Sequence, residues 1–349
     1  MNEIQNSTPQ PATCLVTGGA GFIGSHVADS LIALGRRVIV LDDLSGGYRA
    51  SVNPGARLVV GSITDQDLVE SLFAEYAFDY VYHLAAYAAE GLSHFIRCFN
   101  YTNNLVGSMS VINAALRHKA KCLVFTSSIA VYGSGQTPMV ESLAPHPEDP
   151  YGVAKYAVEL DLAAARRIFG LNYIVFRPHN VYGERQNIAD RYRNVVGIFM
   201  NSLLQKRPCT IFGDGTQTRA FTHVSDVAPL IARSVDVASA YGQVFNVGSD
   251  IPVSINHLAA AVKRAMGCDY GTEYLSSREE VRDAFSSHAK CETTFAQRAT
   301  VDLETGLARM AAWVRTVGAR KTKDYENIEV IDRLPDSWRP CKASGELPF

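Results

Sequence analysis

Tyr151 and Lys155 are the residues of this chain whose types and spacing point most directly to chemistry. Four residues apart on a predicted helix, they share one face, which sets an ammonium beside a phenol. An unperturbed tyrosine ionises near pH ~10, too high for a base at neutral pH, and a neighbouring cation favours its phenolate. Ser128 lies at the end of a predicted strand, in Phe125-Thr126-Ser127-Ser128-Ile129-Ala130-Val131-Tyr132-Gly133, placed to relay the proton or hold a substrate hydroxyl. Each piece alone has a plainer explanation: a packed tyrosine, a solvated lysine, a polar strand end. Behind a dinucleotide fingerprint, in this order, they form the set expected for hydride abstraction from a carbinol.

Such a fingerprint is present. The run Val16-Thr17-Gly18-Gly19-Ala20-Gly21-Phe22-Ile23-Gly24-Ser25 joins a predicted strand to a predicted helix, and Gly18, Gly21 and Gly24 form GxxGxxG. Glycines there permit a tight turn, let a pyrophosphate approach the backbone and let the helix pack on the strand. The free N–H groups of a helix start, here around Phe22 and Ile23, then hold the phosphates. Asp42 and Asp43 end the second predicted strand. A carboxylate at that point suits the ribose hydroxyls and repels a 2′-phosphate, which favours NAD over NADP, with Asp42 the preferred residue.

The elements that must position these groups are legible as a rhythm. Thr13 to Thr17, Arg37 to Leu41, Arg57 to Val60, Tyr80 to Leu84, Cys122 to Thr126 and Tyr173 to Phe176 read as buried strands. Helical patterns lie between them: Phe22 to Ala33, Gln66 to Ala74, Phe95 to Arg117 and Tyr151 to Phe169. Strand and helix in alternation imply right-handed crossovers and an α/β, Rossmann-type, doubly wound parallel sheet. Residues 12–180 are expected to form this NAD-binding part. Residues 181–320 read as a smaller, mainly substrate-binding region with helices near Val195 to Leu204, Ser225 to Val235, Ile255 to Met266 and Leu303 to Val314, returning some strands to the main sheet. Residues 1–11 read as a loose tail, and residues 321–349, polar and proline-punctuated, as a surface wrap or a partly disordered extension.

Composition narrows the class. Over 349 residues, 47% hydrophobic and 19% charged content is that of an ordinary globular protein. A net charge of −2 gives no reason to expect nucleic acid or an anionic membrane as partner, and no apolar run reaches bilayer-spanning length. An anionic substrate would need local arginines or helix N-termini. Seven cysteines lack CxxC or Cys/His ligand spacing, so no metal site or disulfide framework is expected, and a reducing cytoplasm is the default location.

Taken together the motifs resemble those of the extended short-chain dehydrogenases/reductases, the NAD-dependent epimerases and dehydratases, and most of all the UDP-glucose (UDP-galactose) 4-epimerases. The likeness spans roughly Cys14 to Val314. Besides the pieces above it rests on His83-Leu84-Ala85-Ala86, Tyr101-Thr102-Asn103-Asn104 with Gly107, Arg177-Pro178-His179-Asn180-Val181-Tyr182-Gly183, and Phe212-Gly213-Asp214-Gly215 through Arg219 to His223 and Asp226. The resemblance implies Tyr151 as base, Lys155 as its electrostatic partner and Ser128 as hydrogen-bonding helper. It adds Ser62, Ile63, Leu84, Ala85, Ala86, Asn103 and Ser127 to the residues around NAD. It implies a nucleotide-diphosphate sugar, with UDP favoured, held by Asn180, Asn194, Val195, Phe212, Arg219 and Arg278. A homodimer is implied as well, paired through the helices Phe95 to Arg117 and Tyr151 to Phe169.

Relatives on this fold share oxidation at sugar C4 and diverge afterwards according to the acid/base groups near the serine. Dehydratases resemble one another in an Asp-Glu pair after it, decarboxylases of UDP-glucuronate in a glutamate, and a GDP-mannose 3,5-epimerase in a cysteine. Here Ile129 and Ala130 stand in those places, which argues for 4-epimerisation, with the hydride returned to the opposite face. Three features depart from the epimerase pattern: Gly61-Ser62-Ile63 replaces Gly-Asp-Ile, Tyr87-Ala88-Ala89-Glu90-Gly91-Leu92 lacks a lysine, and Arg278-Glu279-Glu280-Val281 replaces RPGD. Ala284 falls at the gatekeeper position, where a small side chain leaves room for a C2 N-acetyl group. Glu90 reads as a solvated loop residue. The other readings are a different nucleotide-sugar conversion, net redox on another alcohol, and a non-catalytic dinucleotide sensor.

Overall fold

A computed structural model describes residues 10–193, 195–277, 281–322 and 324–339. Asn194 and Arg278 lie outside the described residues, as does nearly all of the predicted N-terminal tail. The strands β1 (Thr13–Thr17), β2 (Arg37–Asp42), β3 (Arg57–Val60), β4 (Tyr80–His83), β5 (Cys122–Thr126) and β6 (Tyr173–Pro178) are joined by a seventh, Gln243–Val247, in one parallel sheet. The order runs Gln243–Val247, β6, β5, β4, β1, β2, β3. The seventh strand comes from the second half of the chain and pairs with β6 from Gln243 opposite Ile174 to Val247 opposite Pro178.

Side-chain alternation along the strands divides the core in two. Cys14, Val16, Val38, Val40, Tyr82, Val124 and Ile174 face the helices α1 (Phe22–Ala33) and Val224–Arg233. Leu15, Ile39, Leu41, Val81, Leu123 and Val175 face α2 (Gln66–Tyr76), Gly107–Arg117 and Pro150–Phe169. Burial on both faces is why β1, β5 and β6 show unbroken apolar runs instead of an in-out pattern. A third cluster gathers the helices Val195–Leu204, Ile255–Met266 and Leu303–Val317 around Cys209 and Ile211.

One predicted helix starts two residues later and carries a π-helical insertion. In place of a continuous Phe95 to Arg117, the chain forms Arg97–Tyr101, a π-helical stretch Thr102–Val106, then Gly107–Arg117. The extra residue in the turn leaves Asn103 lining the central cavity while Gly107 abuts Ile63, where a Cβ would come within 2.8 Å of the Ile63 side chain. The described part of the C-terminal stretch does wrap the surface, but it buries Leu334 and Trp338 in a fourth apolar cluster with Leu92, Ile96 and Tyr192.

Candidate functional site

Strand order reverses between β1 and β4, and in open α/β sheets a ligand crevice opens at the carboxyl ends of the strands there. A cavity of about 720 Å³ occupies that place, lined from β1, β2, β4, β5 and β6 and from the third cluster. At one end is the glycine turn. Gly18 has φ +71°, and a Cβ on it would stand 2.7 Å from the Ala85 amide nitrogen; a Cβ on Gly24 would stand 2.1 Å from the Gly18 carbonyl oxygen. Gly21 precedes α1, and no side chain caps that helix, so its start at Phe22, Ile23 and Gly24 presents backbone donors to the cavity. Asp42 is buried; its carboxylate accepts from the Ala20 and Leu44 amides at 2.9 and 2.8 Å and retains lone pairs for a further donor. Asp43 also lines the cavity but spends one oxygen on Ser45. Ser62, Ile63, Leu84, Ala85, Ala86 and Asn103 complete this end. Backbone space, uncapped amides and a carboxylate fit a dinucleotide.

The second constellation sits where β5 meets Pro150–Phe169. Pro150 is the first helical residue and Asp149 caps it, accepting from the Gly152 amide at 2.9 Å, so the helix is set to turn Tyr151 and Lys155 to one face. Tyr151 is hydrogen-bonded to Ser128, whose hydroxyl oxygen in turn accepts from the Ala130 amide at 3.1 Å. Lys155 Nζ donates to the Thr126 carbonyl at 2.9 Å and stands 5.7 Å from the centre of the Tyr151 ring. Ser127 faces away from the reacting groups, its hydroxyl donating to Glu159 at 2.5 Å, and Glu159 is clamped by Arg177 at 3.0 Å through Nε. Burial dominates both functional groups. It raises the Tyr151 phenol far above its usual range, with Glu90 adding to the effect and Ser128 opposing it. It pushes the Lys155 ammonium down to about 7, against the attraction of Glu159.

That depression has a consequence for stability. A lysine ionising near 7 in the fold and near ~10.4 when unfolded leaves the unfolded chain holding more protons between those values. Stability of the unliganded protein therefore rises with pH across this window, by up to about 1.4 kcal/mol per pH unit, and the cost of burying the charge is fully present below pH ~7. Lys155→Met removes the titration. Urea midpoints at pH 6, 7.5 and 9 should show the variant's relative stability falling as pH rises; a constant difference would refute the burial argument.

Toward the third cluster the cavity is lined by Asn180, Val195, Phe212, Arg219 and Ala284. Asn180 adopts φ +39°, an uncommon conformation for a residue other than glycine. Arg219 is folded onto backbone: its guanidinium donates to the carbonyls of Thr218, Val281 and Arg282. Several cavity residues escaped the sequence reading. Arg193 is held by Asp190 at 2.7 Å and lies 4.7 Å over the Tyr87 ring. Glu90, His94 and Asp149 also line the wall near Tyr151; Glu90 is exposed, in keeping with a solvated residue, and still borders the cavity. No short motif announces these residues, because three separate loops deliver them.

His179 is a further omission. Its Nδ1 contacts the Ala220 carbonyl at 3.0 Å and its Nε2 contacts His288 Nε2 at 3.0 Å, while His288 Nδ1 contacts Asp250 at 2.7 Å. Carbonyl and carboxylate only accept, so both Nδ1 atoms donate. His288 Nε2 also meets the Ser286 hydroxyl at 3.1 Å. Burial, with His288 beside it, pushes His179 down to about 3. The network anchors the residue immediately before Asn180.

Residues 14–248 match the model of the NAD dependent epimerase/dehydratase family. A UDP-glucose 4-epimerase of Mycolicibacterium smegmatis is 34% identical over 309 residues, covering 86% of this chain and 98% of that protein. A UDP-N-acetyl-alpha-D-glucosaminuronate decarboxylase of Bacillus cytotoxicus is 28% identical over 323 residues, covering 87% and 98%. Among solved structures, UDP-glucose 4-epimerase of Thermotoga maritima with UDP-glucose is 34% identical, with a TM-score of 0.84, covering 87% of this chain and 99% of that one. A glycine turn shaped for a dinucleotide, a Tyr-Lys-Ser wall and these matches lead to one conclusion: the chain belongs to the NAD dependent epimerase/dehydratase family.

Proposed function

We propose that this enzyme is a nucleotide-sugar 4-epimerase of the UDP-glucose/UDP-galactose type. The observation that carries the reading is the convergence of Tyr151, Ser128 and Lys155 on one cavity wall, followed by Ile129 and Ala130 where a second acid/base would stand. NAD, when bound, supplies the acceptor and later the donor of a hydride at sugar C4. Gly18, Gly21, Phe22, Ile23 and Gly24 cradle its phosphates, Asp42 takes the ribose hydroxyls, and Ser62, Ile63, Leu84 to Ala86, Asn103 and the Ser127 backbone surround the rest. Tyr151 removes the proton from the C4 hydroxyl, Ser128 hydrogen-bonds the same oxygen, and the Lys155 ammonium favours the phenolate. Asn180 and Arg219 contact the sugar diphosphate, Val195 lines the nucleotide pocket, and Phe212 flanks the base. Turning Arg219 from its carbonyl partners toward a diphosphate exchanges neutral acceptors for charged ones, which strengthens each hydrogen bond. The small Ala284 leaves room for a C2 N-acetyl group.

Glu90, beside Tyr151, supports a second reading: a carboxylate able to move a further proton, as in dehydration or decarboxylation of the 4-keto sugar. One assay separates the two. Pure protein without added cofactor is incubated with UDP-glucose, UDP-galactose, their N-acetylated forms and UDP-glucuronate, and products are read by chromatography and mass. A product of unchanged mass and altered retention is expected, and Glu90→Gln should retain at least a third of that activity. Loss of water or carbon dioxide, abolished by Glu90→Gln, would replace the epimerase reading with the second.

A homodimer belongs to the same proposal. Val106, Val153 and Leu160 are 49%, 39% and 54% exposed on the helical faces of Thr102–Val106 and Pro150–Phe169, an apolar strip suited to a two-fold partner. Light scattering at micromolar concentration should give twice the 38.1 kDa chain mass, and a monomeric mass would exclude the pairing.

A further inference from the structure

Five residues lining the cavity, Tyr87, Gly91, Phe99, Tyr192 and Phe212, are also packed by the C-terminal stretch. Trp338, 3% exposed, packs its indole edge-on against Tyr192 at 5.3 Å and Phe212 at 6.4 Å between ring centres. Its Cη2 lies so close to Gly91 that a Cβ there would approach within 3.1 Å. Tyr325 meets Phe99 at 5.5 Å and Tyr87 at 5.8 Å.

The stretch is fastened at both ends and in the middle. Arg191 grips Asp324 at 2.6 Å and also donates to the Ser337 carbonyl, so one guanidinium ties the first and last turns together. Tyr192 Oη accepts from the Tyr325 amide at 3.0 Å. The Glu329 carboxylate accepts from the Cys98 and Phe99 amides at 2.7 and 2.9 Å, capping the helix Arg97–Tyr101, and the Glu329 amide donates to the Phe95 carbonyl at 2.8 Å. A loop that merely covered apolar surface would not need charged anchors at each end.

We propose that residues 324–339 form a nucleotide-recognition wall, in which Trp338 is a specificity-determining residue that holds the Phe212 ring in position for a flat nucleobase. This rests on the nucleotide-sugar reading above. Without the indole, Phe212 and Tyr192 gain rotamer freedom that must be lost again on each binding event, so affinity falls while the reacting groups at Tyr151 stay in place.

The test uses the full chain and two independent readouts. The chain has two tryptophans, so Trp313→Phe leaves Trp338 as sole reporter. Titration of that protein with UDP should give a saturable change in emission that pyrophosphate alone does not reproduce. In the turnover assay, Trp338→Ala should raise KM for the UDP-sugar about tenfold with kcat changed less than twofold, and Trp338→Phe should recover most of the loss. An unchanged KM, or a parallel fall of kcat and thermal midpoint with no KM split, would overturn the proposal. If no UDP-sugar is turned over by the parent protein, the functional reading fails by itself. The emission titration, repeated with TDP, GDP and ADP, then decides the wall separately: no response to any of them overturns it.

Discussion

Tyr151→Phe should lower turnover by about 10²–10⁴-fold while the thermal midpoint and NAD content of the purified protein stay as they are. The ring remains, still packed and 5% exposed, so the fold loses one hydroxyl and its hydrogen bond to Ser128. What disappears is the group that takes the C4 hydroxyl proton in the proposed mechanism. Burial and the Glu90 charge both oppose ionisation of that phenol. The Lys155 ammonium and the Ser128 hydroxyl must offset them, which makes Lys155→Met a second route to the same loss. Residual turnover within tenfold of the parent would mean that another group lining the cavity, such as Glu90, abstracts the proton.

Gly24→Ala should strip the protein of tightly bound NAD and lower its thermal midpoint by several degrees. A Cβ at this position would stand 2.1 Å from the Gly18 carbonyl oxygen, which is backbone and has nowhere to retreat, because Gly18 lies directly against Ala85. Relieving the clash pulls α1 away from β1 and disperses the amide donors at its start. Gly35→Ala is the control. Gly35 has φ +74° with nothing within 4 Å of a Cβ, so it bears only the left-handed backbone cost of about 1–2 kcal/mol and should keep its nucleotide. Nucleotide released on denaturation and measured by chromatography distinguishes the two; retention of NAD by Gly24→Ala would show that the turn does not hold the pyrophosphate.

These two predictions rest on features that could be read in one dimension. The glycine turn, Asp42, the Tyr151/Lys155 spacing and Ser128 lie in or beside the strands and helices that carry them, where periodicity of 2 or 3.6 residues and local sterics decide conformation. A strand buried on both faces must be apolar throughout, and a turn with no room for a Cβ must be glycine. The same logic placed α1, Val195–Leu204 and Ile255–Met266 to the residue.

Tertiary structure alone decided the rest of the site. Nothing local in Glu90, His94 or Arg193 marks them as neighbours of Tyr151; they meet because loops after different strands converge on one crevice. His179 and His288, both buried and 109 residues apart, form a hydrogen-bonded chain with Asp250 that is legible only in space. The π-helical stretch at Thr102–Val106 could not be told from ordinary helix by its apolar pattern, because a single extra residue shifts register without altering composition. Trp338 reads in the sequence as one aromatic in a polar tail, and its place behind Phe212 depends on Arg191 and Glu329 fastening that tail to segments far away along the chain. Local preference selects an element from its own residues; which side chains share a cavity is set by long-range packing, which the order of residues along the chain does not display.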